Sequence, residues 1–212
     1  MAAPAGVDPQ TINISLDDPA QARPDEWTAP ALIDIVASCF HARSSEWIFL
    51  RELRVGTGFQ GSAAQRLDAF ALNCLPHTSM KRVCYEVKTS RADFLCEMRQ
   101  PLKRRVGLRY SNEFYFVSLK GLIDIFEIPV ECGLIEIGLF TEQERSSTLA
   151  GSGALIHFDP VYKTYCRVTV PAPWRETPGP TWQFLAGMLR NQQRSFGERS
   201  AKLPNQQRLP FF

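Results

Sequence analysis

No two cysteines stand at Cys-x-x-Cys spacing in this 212-residue chain, and its three histidines, His41, His77 and His157, are scattered. That argues against a zinc centre, whose ligands come in close pairs. The six cysteines (39, 74, 84, 96, 132 and 166) stand singly, several inside apolar runs, as buried free thiols do. A reducing, intracellular setting is therefore expected, with the protein in the cytoplasm. No stretch approaches the roughly 20 apolar residues of a membrane-spanning helix, so no membrane partner is expected. Residues 1–20 lack the basic start and apolar centre of a secretory leader. The stretch Gly56–Gly61 is glycine-rich but irregular, and no Lys-Ser or Lys-Thr follows it, which excludes a phosphate-binding nucleotide loop. His77, in a Pro-His turn with no acid or cysteine at useful spacing, reads as surface loop. Strong net charge is missing too: 24 basic and 22 acidic side chains leave +2, so the chain is no polycation.

The charge that is present is unevenly placed. Residues 1–30 hold one base (Arg23) and five acids, net −4, and residues 183–212 hold five bases and one acid, net +4. A third cluster, Arg99, Lys103, Arg104, Arg105 and Arg109, lies mid-chain, and such a cluster suits phosphate binding. With 44% hydrophobic residues the chain has enough apolar content for one real core. Four segments are expected: a flexible arm at 1–27, a core at 28–140, an extension packed on it at 141–193 and a flexible basic tail at 194–212. Thr28 is placed to cap a helix over 29–42, with Pro30 in its first turn and an apolar stripe at Leu32, Ile35, Val36, Cys39 and Phe40. Strands are expected at 46–55, 67–72, 81–88, 113–118 and 134–139, and a helix over 91–107 with a break near Pro101. A hairpin from 155–158 and 162–170, then a helix over 181–193, would follow. This order is an α/β pattern with a mixed central sheet flanked by helices.

The chemistry concentrates in Arg82-Val83-Cys84-Tyr85-Glu86-Val87-Lys88-Thr89-Ser90. Strand alternation puts Glu86 and Lys88 on one face and Val87 on the other. Eighteen positions before Glu86 stands Asp68, on the preceding strand. Two carboxylates with the Val87 carbonyl would make an all-oxygen site for a hard cation such as Mg²⁺. A nearby lysine would orient water or offset charge developing on a phosphate. Taken alone, Glu-x-Lys on a strand is more often a surface cross-strand pair. Glu52, on the strand before Asp68, is a further candidate acid, although an ion pair with Arg51 or Arg54 explains it equally well.

The wider context carries a resemblance. Arg66-Leu67-Asp68, Glu86-Val87-Lys88-Thr89-Ser90-Arg91-Ala92-Asp93-Phe94, Asn112-Glu113-Phe114-Tyr115-Phe116-Val117 and Gly133-Leu134-Ile135-Glu136 occur in that order. Over about a third of its length the chain resembles the PD-(D/E)XK nuclease superfamily, and within it the MmcB-like DNA-repair group. The proline of the superfamily's name is absent before Asp68. The resemblance implies a restriction-endonuclease-like core and a Mg²⁺-dependent deoxyribonuclease, with Mn²⁺ able to substitute. It implies Asp68, Glu86 and the Val87 carbonyl as metal ligands and Lys88 as the catalytic cation. Cleavage would leave 5′-phosphate ends. Ser90 and Asp93 would support the site, beyond their reading as caps of the next helix, and Glu97 would serve a structural or supporting role. DNA would be gripped by Arg91, Arg99, Lys103, Arg104 and Arg105 without reading of bases. The tail, with Gln206, Leu209, Phe211 and Phe212, resembles peptides that dock on the bacterial sliding clamp. A homodimer, an RNA substrate, or a DNA-binding module that has lost cutting remain alternatives at this point.

Overall fold

The computed structural model describes residues 27–55, 65–139, 156–159 and 164–202. The loop expected at Gly56–Gly61, the polar stretch 141–153 and all but Trp27 of the arm expected over 1–27 lie outside them, as do Gln206, Leu209, Phe211 and Phe212. Among the described residues seven strands form one mixed sheet in the order β1-β2-β3-β4-β5-β7-β6. They are β1 (Trp47–Val55), β2 (Gln65–Asn73), β3 (Arg82–Lys88), β4 (Glu113–Leu119), β5 (Gly133–Leu139), β6 (Ile156–Asp159) and β7 (Thr164–Val170). β3, β4 and β5 run parallel, and the other neighbours pair antiparallel. The helices are α1 (Ala29–Phe40), α2 (Arg91–Met98), α3 (Arg105–Tyr110) and α4 (Trp182–Lys202). This is the expected α/β architecture, a mixed central sheet flanked by helices.

The parallel strands are apolar on both faces because both are covered. On one side α1 lays Leu32, Ile33, Ile35 and Val36 against Ala69, Val83, Tyr85, Val87, Tyr115, Val117, Ile135 and Ile137. On the other, Phe94 of α2, Tyr110 of α3 and Phe184 of α4 pack on Phe70, Cys84, Phe114, Phe116 and Leu134. Since Cys84 belongs to the second face, alternation sends Glu86 and Lys88 there as well, under α2. Thr28 caps α1 as expected, its hydroxyl accepting from the Ala31 amide at 3.4 Å. None of the six cysteines is in a disulfide, and Cys84, Cys132 and Cys166 are buried.

The helix after β3 breaks at Pro101 as expected: α2 ends at Met98, Pro101–Arg104 forms a 3₁₀ turn, and α3 resumes at Arg105. Pro101 lacks the amide that a continuous helix would need. The last helix continues to Lys202, past its expected end at 193. In β1, Glu52 takes φ +50°. Alternation breaks there, and Leu50 and Leu53, three apart, both enter the α4-side core.

α4 approaches β1 closely. A Cβ on Gly187 would fall 2.7 Å from the Arg54 carbonyl oxygen, so only glycine admits this approach. The Asn191 amide donates to the Arg51 carbonyl at 2.7 Å.

The α1 face also buries His41. It pairs through Nε2 with the Tyr85 hydroxyl at 2.8 Å, and among the described residues its Nδ1 has no hydrogen-bond partner. Burial, with a lesser contribution from Lys81, lowers its pKa from 6.5 to about 3. A lowered histidine pKa gives stability that is complete above about 6.5 and drains away as the pH falls towards 3. Between pH 7 and pH 5 the wild type is expected to lose about 2 kcal/mol through this residue. His41→Gln is expected to lack that part of the decline in urea titrations. Equal slopes for the two proteins would show that His41 is not the source.

Candidate active site

The site sits where the β2–β3 ladder stops. Pairing runs from Leu72 opposite Arg82 to Ala69 opposite Tyr85 and goes no further. Beyond that point the Val87 amide, which has no β2 carbonyl to meet, donates instead to Asp68 Oδ2 at 2.9 Å. A side-chain carboxylate thus replaces a backbone acceptor, and the strands part around it. The opening is a cavity of about 500 Å³ lined by Gln65, Arg66, Asp68, Glu86, Val87, Lys88, Thr89, Asp93, Glu97, Lys103 and Ala29.

Glu86 and Lys88 project from β3 into this space, with Lys88 Nζ 2.9 Å from Glu86 Oε1. α2 begins directly after the strand because Ser90 caps it, its hydroxyl accepting from the Asp93 amide at 3.2 Å. That start sets the helix phase. Asp93 and Glu97, four apart, share the face above Lys88. Asp93 Oδ2 is 3.6 Å and Glu97 Oε2 3.7 Å from Nζ. Phe94, one residue along, holds the helix to β4 by an edge-to-face contact with Phe116 at 5.5 Å.

The electrostatics are those of crowded acids around one cation. Burial raises the pKa of Asp68, against the hydrogen bond from Val87 and the charges of Lys88 and Arg66. Burial and then the neighbouring Asp68 push Glu86 up to about 7, against the pull of Lys88. Burial alone would lower the Lys88 pKa, but Glu86, Asp93 and Glu97 more than offset it and the net shift is upward. Lys88 is therefore a standing ammonium. It can donate hydrogen bonds and offset negative charge, but it is not a proton acceptor near neutral pH.

Asp68, Glu86, Val87, Lys88, Asp93 and Lys103 of the sequence reading come together in this cavity. Two other expectations, those for Glu52 and Arg104, need correction. Glu52 does not join: its side chain is 64% exposed and meets Arg66 at 3.8 Å, because the turned backbone points it outward. Arg104 is no DNA contact, since it is 6% exposed and sits between Glu97 at 4.0 Å and Glu131 at 3.5 Å. Arg91 is exposed but engaged with both oxygens of Glu127, at 2.6 Å for one of them. Arg99 and Arg105 are exposed yet outside the cavity lining. Ser90 acts in the structure as the α2 cap. His77 lies exposed in a 3₁₀ turn, Pro76–Thr78, as expected. Glu97 has a closer part than the sequence reading gave it, and its signal was the spacing of four from Asp93. Gln65 and Arg66 line the cavity and were not singled out.

Among the described residues no group of three or more His, Cys, Asp or Glu side chains is arranged to hold a metal ion. The donor set that fits a hard cation is therefore small. It is Asp68 Oδ1 and Glu86 Oε2, which have no partner among the described residues, in a cavity where both acids are electrostatically strained. Hard oxygen donors that repel each other suit a divalent cation.

Comparison with known proteins fixes the architecture and no more. No family model matches the chain, and no curated protein does. A solved structure, a protein of unknown function from Silicibacter pomeroyi, matches over 88% of this chain and 99% of its own, with TM-score 0.51 and 14% identity. At that identity the likeness shows the fold alone. Among the described residues no helix is long and apolar enough to cross a membrane.

Proposed function

We propose that this chain is a Mg²⁺-dependent deoxyribonuclease of the PD-(D/E)XK type. The observation that carries the reading is the convergence of Asp68, Glu86 and Lys88 on one cavity, at the point where β2 and β3 part. Asp68 and Glu86, with the Val87 carbonyl, would hold the cation, and Mn²⁺ would substitute. When bound, the cation supplies an activated water and neutralises the scissile phosphate.

The chain's own residues do the rest. Lys88 stays protonated and donates to the attacking water or to a phosphoryl oxygen, where its charge is worth most in the transition state. Asp93 and Glu97 hold Lys88. Arg66, 54% exposed, and the exposed Lys103 stand on the cavity wall, placed for flanking phosphates. These are backbone contacts, and they carry no sequence information. The substrate is DNA, cut by structure or without specificity, in an intracellular repair or replication setting. Docking of the tail on a sliding clamp belongs to the same proposal, as does pairing of two copies to cut both strands.

The test is cleavage of supercoiled plasmid and of labelled single-stranded and duplex oligonucleotides in Mg²⁺, Mn²⁺ or EDTA, with Asp68→Ala beside the wild type. Cutting that needs metal and disappears in the variant is the expected result. DNA binding without cutting under any metal would replace this reading with a binding module.

A further inference from the structure

Lys88 holds its ammonium inside a ring of three carboxylates: Glu86 at 2.9 Å, Asp93 at 3.6 Å and Glu97 at 3.7 Å. The Lys88 and Glu97 side chains are each 4% exposed. Glu97 divides its oxygens. Oε2 faces Lys88, while Oε1 faces Arg104 at 4.0 Å. Arg104 in turn meets Glu131 at 3.5 Å, donates to the Glu97 carbonyl at 3.5 Å, and lies over the Phe116 ring at 5.9 Å. Signs alternate along this row, and its middle members Lys88, Glu97 and Arg104 are buried, each between charges of opposite sign.

Glu86 is claimed twice. It is the closest partner of Lys88 and one of the two proposed cation ligands. A cation entering the cavity competes with an ammonium already 2.9 Å from Glu86. Asp93 and Glu97, on the other side of the same ammonium, offer it a complete alternative.

We propose that Lys88 changes partners when a divalent cation loads, giving up Glu86 and passing to Asp93 and Glu97, with Arg104 fixing the Glu97 carboxylate that receives it. The inference rests on the reading of Asp68 and Glu86 as cation ligands. Asp93, Glu97 and Arg104 are then positioning residues. They act through Lys88, and they set both how readily the cavity takes its cation and where the ammonium stands afterwards.

The test needs no DNA and no turnover. Mn²⁺ and Mg²⁺ are titrated calorimetrically into the full chain as wild type, Lys88→Met, Asp93→Asn, Glu97→Gln, and each of the last two combined with Lys88→Met. Lys88→Met is expected to bind cation about tenfold more tightly, since the internal competitor is gone. Asp93→Asn and Glu97→Gln are expected to weaken binding several-fold in the wild-type background, by driving Lys88 back onto Glu86. In the Lys88→Met background their effect is expected to shrink to about twofold or less. Asp93 is 53% exposed, so its cycle carries the test should Glu97→Gln not fold. Equal weakening in both backgrounds, or weaker binding by Lys88→Met, would overturn the exchange and leave the proposed nuclease standing. A wild type that binds neither cation would overturn both.

Discussion

Lys88→Ala is expected to cut plasmid DNA at least about a hundredfold more slowly than the wild type, while binding DNA in EDTA within about threefold of it. The large effect on cutting follows from where the charge sits. Lys88 is the standing cation of the cavity, its pKa raised by Glu86, Asp93 and Glu97 against burial. In the proposed mechanism it would meet the reacting phosphate where charge develops. Under the same proposal, binding in EDTA would depend on exposed bases such as Arg66 and Lys103 on the cavity wall, which the substitution does not touch. Removing the ammonium also leaves Glu97, 4% exposed, with Arg104 as its remaining cation. A thermal melt alongside the assay separates lost chemistry from lost structure. Full cutting by a folded Lys88→Ala protein would remove the mechanism. The partner exchange adds a sharper expectation: Lys88→Met binds cation better than the wild type and still fails to cut.

Phe94→Ala is expected to destabilise the fold by about 3–5 kcal/mol and to impair cutting well beyond the loss of folded protein. Phe94 is fully buried and meets Phe116 edge-to-face at 5.5 Å. Its removal takes a large apolar side chain from the core and leaves a cavity under a short helix. α2 has eight residues, too few to stand without tertiary packing. The same helix carries Asp93 and Glu97 above Lys88. A loosened α2 therefore blurs the position of the ammonium even in the folded fraction. Denaturant midpoints, with cleavage normalised to folded protein, measure the two effects separately. A Phe94→Ala protein with wild-type stability would mean that α2 is held by something other than this contact.

The central part of the site was legible because strand periodicity is a local property. Glu86 and Lys88 must share a face whatever surrounds them, and the Ser90 cap after them must start a helix near that face. The buried strand β4 was equally plain, with Phe114, Tyr115, Phe116 and Val117 all in the core. What escaped depended on contacts between distant segments. Arg104 and Arg105 are adjacent and alike in sequence, yet a 3₁₀ turn sends one inward to Glu97 and Glu131 and leaves the other in solvent. No composition argument separates them. Glu52 fits an alternating strand in sequence, and only the positive φ there turns it from the cavity. α4 runs on through residues rich in Gln, Arg and Ser that have little apolar signal of their own, so its polar end read as tail.

The close seating of α4 on β1 has a consequence for how two copies can meet. β1 is the terminal strand of the sheet, the place where a second sheet would most readily be added. Around Arg51 and Arg54 its carbonyls are already taken or shielded by Asn191 and the Gly187 turn of the helix. Strand addition along the whole of β1 would have to displace α4 from Arg51 and Arg54, so a pairing of two copies through this edge carries the cost of unseating that helix.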